Sequence, residues 1–437
     1  MSISATNVVP DREGEDQEQP ATGGPHRARR PVHQRKGAYI AWPRPVRLRH
    51  SEPVDNQRSP LGADFIPGLD LSRILYEEAV RPVLDSAYPG LRYAAARVGS
   101  GSEVLGFDTA RSADHEWGPR LNLFLAPDDA AEHGAELHRL LAERLPKQVR
   151  GWPTHFRHAD PEVPIGQMEL TQGAVNHRVS VDGLGDWLSA QLGTDAATAD
   201  GPTVRDWLAM PQQRLAEVTG GAVFHDGPGG PGAAGTLGAV RARLAWYPEQ
   251  VWRYLLACQW QRISQEEALV GRCAEVGDDL GSAVVAARLV RDLMRLCLLL
   301  ERSYAPYGKW LGSAFGRLAV ADALKPSLAG VLAATRYPVR ERHLCDAYEY
   351  VAGLQNASGL AAPVDPARRP YHGRPFQVLH AERFARALAA TVTDPELRGL
   401  PLTGGVDQWA DSTDFLGLGG PRRAAVDALA RTVTRSP

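Results

Sequence analysis

The sequence predicts an α+β protein, a small mixed sheet in the first half followed by a helical bundle, and three observations carry that expectation. Short apolar runs at 92–98 and 121–125 are bounded by Gly, Ser and Pro, which marks strands rather than long helices. From residue 249 onward, Leu, Val, Trp and Ala recur at helical spacing over long stretches, with Pro248, Pro306 and Pro326 as punctuation. Between the halves lies Gly227-Pro-Gly-Gly-Pro-Gly232, the best internal boundary.

Taken in order, residues 1–62 are poor in aliphatics and rich in Pro, Gly, Arg and acids, with an acidic block at 11–18 before a basic one at 27–49. Such a segment buries too little apolar surface to offset its ordering entropy, so a disordered tail is expected. The Arg, His and Pro mix with Tyr39 and Trp42 also suits contact with RNA or an acidic partner. Leu71, Ile74, Leu75, Ala79 and Val83 predict a helix that Pro82 kinks or ends early. Residues 92–98 suit a strand running into a Gly/Ser turn, 121–125 a second strand, and 128–145 a helix closed by Pro146. Residues 175–182 and 221–226 read as strands, with helical stretches at 187–192 and 204–217, the latter broken at Pro211. Helices are expected at 249–263, 281–304, 308–320, 344–354 and 381–391. The domains predicted are a tail at 1–62, a sheet domain at 63–235, a helical bundle at 236–360, and a linker with helical extension at 361–437.

Bulk composition excludes little. With 437 residues, 43% hydrophobic, there is room for two or three domains with sizeable cores. A formal net charge of −2 provides no global pull toward nucleic acid or anionic lipid, so any basic site must be local and a long nucleic-acid ligand is not expected. Cys258, Cys273, Cys297 and Cys345 lie far apart with no CxxC pair, which suits buried free thiols in a reducing cytoplasm rather than a zinc site. The most apolar run, 289–300, is cut by Arg291, Asp292 and Arg295, so no membrane span is expected and the cytoplasm is the predicted location.

The chemistry concentrates in Val98-Gly-Ser-Gly-Ser102, followed after eleven residues by Asp114-His-Glu116. Gly99 and Gly101 would let backbone approach a phosphate closely, while Ser100 and Ser102 add hydroxyl donors. If Asp114 and Glu116 lie on a strand, their side chains share one face roughly 6.5–7 Å apart along the chain and can hold two cations. Two-metal phosphoryl chemistry needs ions roughly 3.5–4 Å apart, bracketing the attacking and leaving oxygens.

These residues resemble the nucleotidyltransferase superfamily that includes polymerase β and the antibiotic nucleotidyltransferases, in which an apolar residue, Gly-Ser and a spacer of this length precede Asp-x-Asp/Glu on the next strand. Residues 90 to about 320 also resemble a bacterial family of unknown function placed in that superfamily. The stretches that carry this second resemblance are Gly101-Ser-Glu-Val-Leu-Gly-Phe-Asp108, Asp114-His-Glu-Trp-Gly-Pro-Arg120, Ala222-Val-Phe-His-Asp226 and Tyr304-Ala-Pro-Tyr-Gly-Lys-Trp-Leu311. The resemblance implies a small nucleotidyltransferase-like domain in which Gly101 and Ser102 meet the nucleotide phosphates and Asp114 and Glu116 bind two Mg²⁺ ions. A third carboxylate normally completes such a site. Asp226, at the end of a predicted strand, is the first choice and Asp182 the second; His225-Asp226 alternatively suits an HD phosphohydrolase, which would need further ligands from helices.

In the helical half, Arg288, Arg291, Arg295 and Arg302 share a face and would either neutralise a triphosphate or form a salt-bridged surface with Asp292 and Glu301. Lys309 sits in a Tyr/Lys/Trp turn like one that borders the nucleotide in antibiotic nucleotidyltransferases, or else the turn packs Tyr307 and Trp310 into the core. His115 and Trp117 are expected to pack beside the site. The primary expectation is transfer of a nucleoside monophosphate from an NTP to a hydroxyl of a small-molecule acceptor. The chain departs from the superfamily pattern at Trp117-Gly-Pro119, which motivates the alternative of a catalytically inactive nucleotide- or partner-binding module.

Overall fold

Four short strands build the only large sheet among the described residues, and their side chains explain why it is buried on both faces. In this computed structural model the described residues are 64–160, 163–227 and 236–433. The predicted tail and most of the glycine-rich boundary lie outside them. The strands are β1 (Tyr93–Arg97), β2 (Arg120–Leu125), β3 (Arg178–Gly183) and β4 (Ala222–Asp226), in the order β3-β2-β1-β4. β1 runs antiparallel to β2 and β4, whereas β2 and β3 are parallel.

The sheet is covered by helices on each side. The first helical stretch begins with α1 (Gly68–Leu75), passes through a wide i→i+5 turn at Tyr76–Val80, and continues as Arg81–Ala87. The wide turn immediately before Pro82 accommodates the hydrogen bond that proline cannot donate, so the helix runs past the expected break. α2 (Pro127–Arg144) provides the crossover that a parallel β2–β3 pair requires, and α3 (Leu184–Leu192) follows β3 directly. Because side chains alternate along a strand, Tyr93, Ala95, Leu121, Leu123 and Leu125 pack toward α1 and α2. Ala94, Ala96, Val98 and Phe124 pack toward α3 and the helical half. Double-sided burial accounts for the run of three alanines in β1, each 0% exposed.

A hairpin of His155–Asp160 and Val163–Glu169 was not expected from the sequence. The first strand is largely polar and the second carries Pro164 and Gly166, so periodicity gave no sign of them.

The second half is helical, as expected, around α4 (Glu249–Glu266), α5 (Asp279–Leu300) and α6 (Tyr337–Ala357). Trp252 and Trp260 are buried there with their indole N–H groups donated to the Leu299 carbonyl at 2.8 Å and the Gln355 side chain at 3.2 Å. Two helix expectations need correction. Residues 308–320 form only a short turn at Gly308–Trp310 and the brief helix Leu311–Phe315, whereas Ala321–Ala333 is helical through Pro326. The C-terminal helix Gly419–Val433 returns to pack on Val204–Ala209, where Arg423 pairs with Asp206. All four cysteines are free, and among the described residues no helix is long and apolar enough to cross a membrane.

Candidate functional site

The end of the sheet where β1 stops and β2 and β3 begin carries three arginines. Arg97 ends β1, and Arg120 and Arg178 open β2 and β3, where parallel pairing sets them opposite one another. One step further along, Asn122 faces Ser180 and donates to its hydroxyl at 3.1 Å. Period-two alternation places Arg120 and Asn122 on one face of β2, and Arg178 and Ser180 on the matching face of β3.

The Gly/Ser bend wraps around this end. Gly99 and Gly101 have φ of +87° and +150°, which favours glycine. A Cβ on Gly101 would sit 2.6 Å from each of the Arg97 and Arg120 Nη2 atoms and the Glu103 Oε2 atom, so any side chain there would have to push these ion-paired groups aside. Arg120 donates to the Ser100 carbonyl at 2.8 Å, and Arg97 donates to the same oxygen at 2.5 Å. Both arginines also bind Glu103, with Arg97 Nε and Arg120 Nη2 each 2.8 Å from its Oε1. The Glu103 side chain is 2% exposed, and burial pushes its carboxyl up against the pull of Arg97.

Against this bend lies a cleft of about 380 Å³. Its charged lining is Arg97, Arg120 and Arg178, its neutral polar lining includes Asn122, Ser180 and Gln191, and among the described residues no Asp or Glu lines it. His177 also borders the cleft. Its Nδ1 accepts from the Val179 N–H, so Nε2 carries the proton and donates to the His138 carbonyl at 3.0 Å. Burial lowers its pKa to about 4, so the imidazole is neutral at pH 7 and the positive charge of the cleft comes from arginine. The Nε atoms of Arg120 and Arg178 are buried without a hydrogen-bond partner among the described residues.

The predicted carboxylates fall in three different settings. Asp114 closes a single 3-10 turn, Ala110–Asp114, with its side chain 57% exposed and its carboxylate bonded to the N–H and ring of His115. Glu116 has a left-handed φ of +47°. Its backbone N–H donates to the Gly166 carbonyl at 2.9 Å, and its carboxylate accepts from the Gly166 N–H in return. Arg178 Nη2 lies 3.5 Å and Arg120 Nη1 4.0 Å from the same carboxylate. The expectation that Asp114 and Glu116 share a strand face is therefore corrected, because β2 starts only at Arg120. Trp117-Gly118-Pro119 explains the delay. Trp117 is buried against Phe65 and Trp152, Gly118 has φ +140°, and Pro119 lacks the N–H a ladder needs.

Asp226 and Asp182 sit at the other end of the sheet. Asp226 pairs across to Ala94 and Asp182 to Phe124, one row of the same sheet, four residues beyond Arg178 along β3. At about 3.3 Å per residue that row is roughly 13 Å from the arginines. The Asp226 carboxylate is taken by the Gly238 N–H at 2.9 Å. Among the described residues no group of three His, Cys, Asp or Glu is arranged to hold a metal ion.

Gly101 and Ser102 stand in the bend just behind the cleft, which is lined instead by Gly99 and Ser100. Arg295 is half-buried in the helical half and donates to the Asp407 carbonyl at 3.0 Å, away from the cleft. Its neighbours on α5 follow the salt-bridged expectation: Arg288 pairs with Glu266, and Arg291 with Asp292 and Asp411. Arg302 lies over Trp252 and beside Glu249. Lys309 is exposed over Trp310, and Trp310 stacks on Phe107 at 5.0 Å, in the loop that follows Ser102. Arg317 covers Phe107 and donates to the Leu105 carbonyl at 3.1 Å, tying the helical half to this loop.

Sequence reading missed Arg97, Arg120 and Arg178. The available signal was a polar residue at alternate positions of two otherwise apolar strands, Arg120-Leu-Asn122 and Arg178-Val-Ser180, which implies a strand face lining something other than core.

Residues 207–311 match a domain of unknown function (DUF4037). The match spans β4 and the Tyr/Lys/Trp turn but ends short of the Gly/Ser bend and of Asp114 and Glu116. No curated protein and no solved structure matches the chain.

Proposed function

We propose that this chain is a nucleotidyltransferase-like protein that binds the phosphates of a nucleoside triphosphate in the arginine-lined cleft, acting as a nucleotide-binding module. The observation that carries this reading is a cleft beside a Gly/Ser bend whose lining includes three arginines and no carboxylate. Guanidinium forks match phosphate oxygens in geometry and charge. Asn122, Ser180 and Gln191 supply neutral donors and acceptors for the sugar or base end of such a ligand. The phosphates would meet Gly99 and Ser100, with Gly101 and Ser102 shaping the bend behind them.

Transfer of the nucleotidyl group to a hydroxyl of a small-molecule acceptor is the second reading. One observation favours it: Asp114 and Glu116 precede β2 at the same end of the sheet as the bend. In that reading Asp114, with Glu116 once it leaves Arg178, would hold Mg²⁺ arriving with the NTP. The ions would polarise the phosphoryl group and activate the attacking hydroxyl. As arranged, the residues fit this poorly, since two arginines stand by Glu116 and Asp226 is on the far row of the sheet. Binding therefore ranks ahead of transfer.

Calorimetric titration with ATP and GTP, with and without MgCl₂, tests the first reading. Losing a charge-assisted bond of about 1.5–3 kcal/mol predicts that Arg178→Ala weakens binding by roughly 10- to 150-fold. Failure of every NTP to bind would sink it. Pyrophosphate release with a hydroxyl acceptor, abolished by Asp114→Ala, would instead move the conclusion to transfer.

A further inference from the structure

Glu116 is held through both backbone and side chain: its N–H donates to the Gly166 carbonyl, and its carboxylate meets the Gly166 N–H and two arginines. Its φ of +47° is uncommon for a residue with a Cβ and persists only where the surroundings impose it. What surrounds it is the Gly166 N–H, Arg178 and Arg120, all directed at its carboxylate. The side chain itself is 39% exposed, at the rim of a cleft that its two arginines line. An internal carboxylate thus stands beside the cleft, on two of the guanidiniums that an incoming anion would use.

We infer that Glu116 is an internal stand-in for the ligand, a plug that a phosphoryl group displaces from Arg178 and Arg120; this rests on the phosphate-binding reading above. A phosphoryl group carries up to two negative charges and three acceptor oxygens against one charge and two oxygens for the plug, so it wins the arginines when it arrives. A monocarboxylate has no such advantage, so the site discriminates by charge and oxygen count. Once displaced, the Glu116 carboxylate is free to turn toward solvent beside Asp114, two residues earlier in the chain. Binding of the anion and release of a carboxylate next to it are then one event.

Inorganic tripolyphosphate is the probe, titrated calorimetrically into the full-length chain and into Glu116→Gln, Glu116→Gly and Arg178→Ala. Gln keeps the shape and the Gly166 contact but not the charge, and Gly adopts the left-handed backbone freely, so at least one variant folds normally. Both Glu116 variants should bind tripolyphosphate about 5- to 20-fold tighter than the parent, and acetate should compete weakly in all of them. Equal or weaker binding by both Glu116 variants, with Arg178→Ala still impaired, overturns the plug and leaves the binding site standing. If neither the parent nor the Glu116 variants bind and Arg178→Ala changes nothing, the phosphate-binding reading itself fails.

Discussion

Removing Glu103 should destabilise the protein and at the same time make it more responsive to anions. The side chain is 2% exposed, and one of its oxygens takes Arg97 Nε, Arg97 Nη2 and Arg120 Nη2 at 2.7–2.8 Å. Truncation to Ala strands two guanidiniums in a mostly buried site, and breaking a buried pair from one side costs about 3–5 kcal/mol. That is a large part of a typical total stability of roughly 5–15 kcal/mol. Five charged groups meet here: Arg97, Arg120 and Arg178 against Glu103 and Glu116, a net of one positive charge, which becomes two when Glu103 is removed. Added tripolyphosphate should therefore raise the melting temperature of Glu103→Ala by more than that of the parent. At 100 times its dissociation constant, a ligand specific for the folded state adds about 2.7 kcal/mol, enough to restore much of the loss. Differential scanning fluorimetry with and without the anion, backed by urea denaturation, measures both effects. A cost below about 1 kcal/mol, or equal anion shifts in parent and variant, would refute the idea that Glu103 is what holds these arginines in place.

Two further outcomes follow from the same physical reasoning. Burial lowers the pKa of His177 to about 4, so its contribution to stability is present above its ordinary pKa of about 6.5 and is lost as pH falls toward 4. Burial raises that of Glu267, which accepts the Leu379 and Ala381 N–H groups, to about 7; its contribution is present below about 4.5 and is lost as pH rises through 7. The two slopes oppose each other between about pH 4.5 and 6.5, so Glu267→Gln should leave a melting temperature that falls more steeply on acidification than the parent's; an unchanged slope would contradict the assignment. Gly118→Ala should cost about 1–3 kcal/mol in a denaturation curve, because φ is +140° and the new Cβ meets Met168 Sδ at 2.5 Å; parent-like stability would show that this backbone is not constrained.

Much of the architecture was legible in the chain. The strand-like runs at 92–98 and 121–125 became β1 and β2 within two residues at each end, because apolar composition and flanking Gly and Pro report directly on local backbone preference. The helical second half was equally visible from its spacing, as was the strand that ends at Asp226. The hairpin at 155–169 was invisible, since two largely polar strands, one of them carrying Pro164, are defined by their pairing with each other. The glycine bend was correctly located, but which of its residues line a cavity was not: Gly99 and Ser100 do so, one dipeptide before the pair expected.

Sequence alone determined many local items: most of the segments that extend or coil, where glycine is needed, and that Gly, Ser and acidic residues cluster between 98 and 116. The tertiary structure decided what those residues face. Register between β2 and β3 brought Arg120 and Arg178 together across 58 positions of chain, and the same register carried Asp182 and Asp226 to the opposite row. Local propensity acts over a few residues and is written into neighbouring side chains, whereas convergence at a site depends on strand pairing and helix packing between distant segments, and no short stretch encodes that by itself.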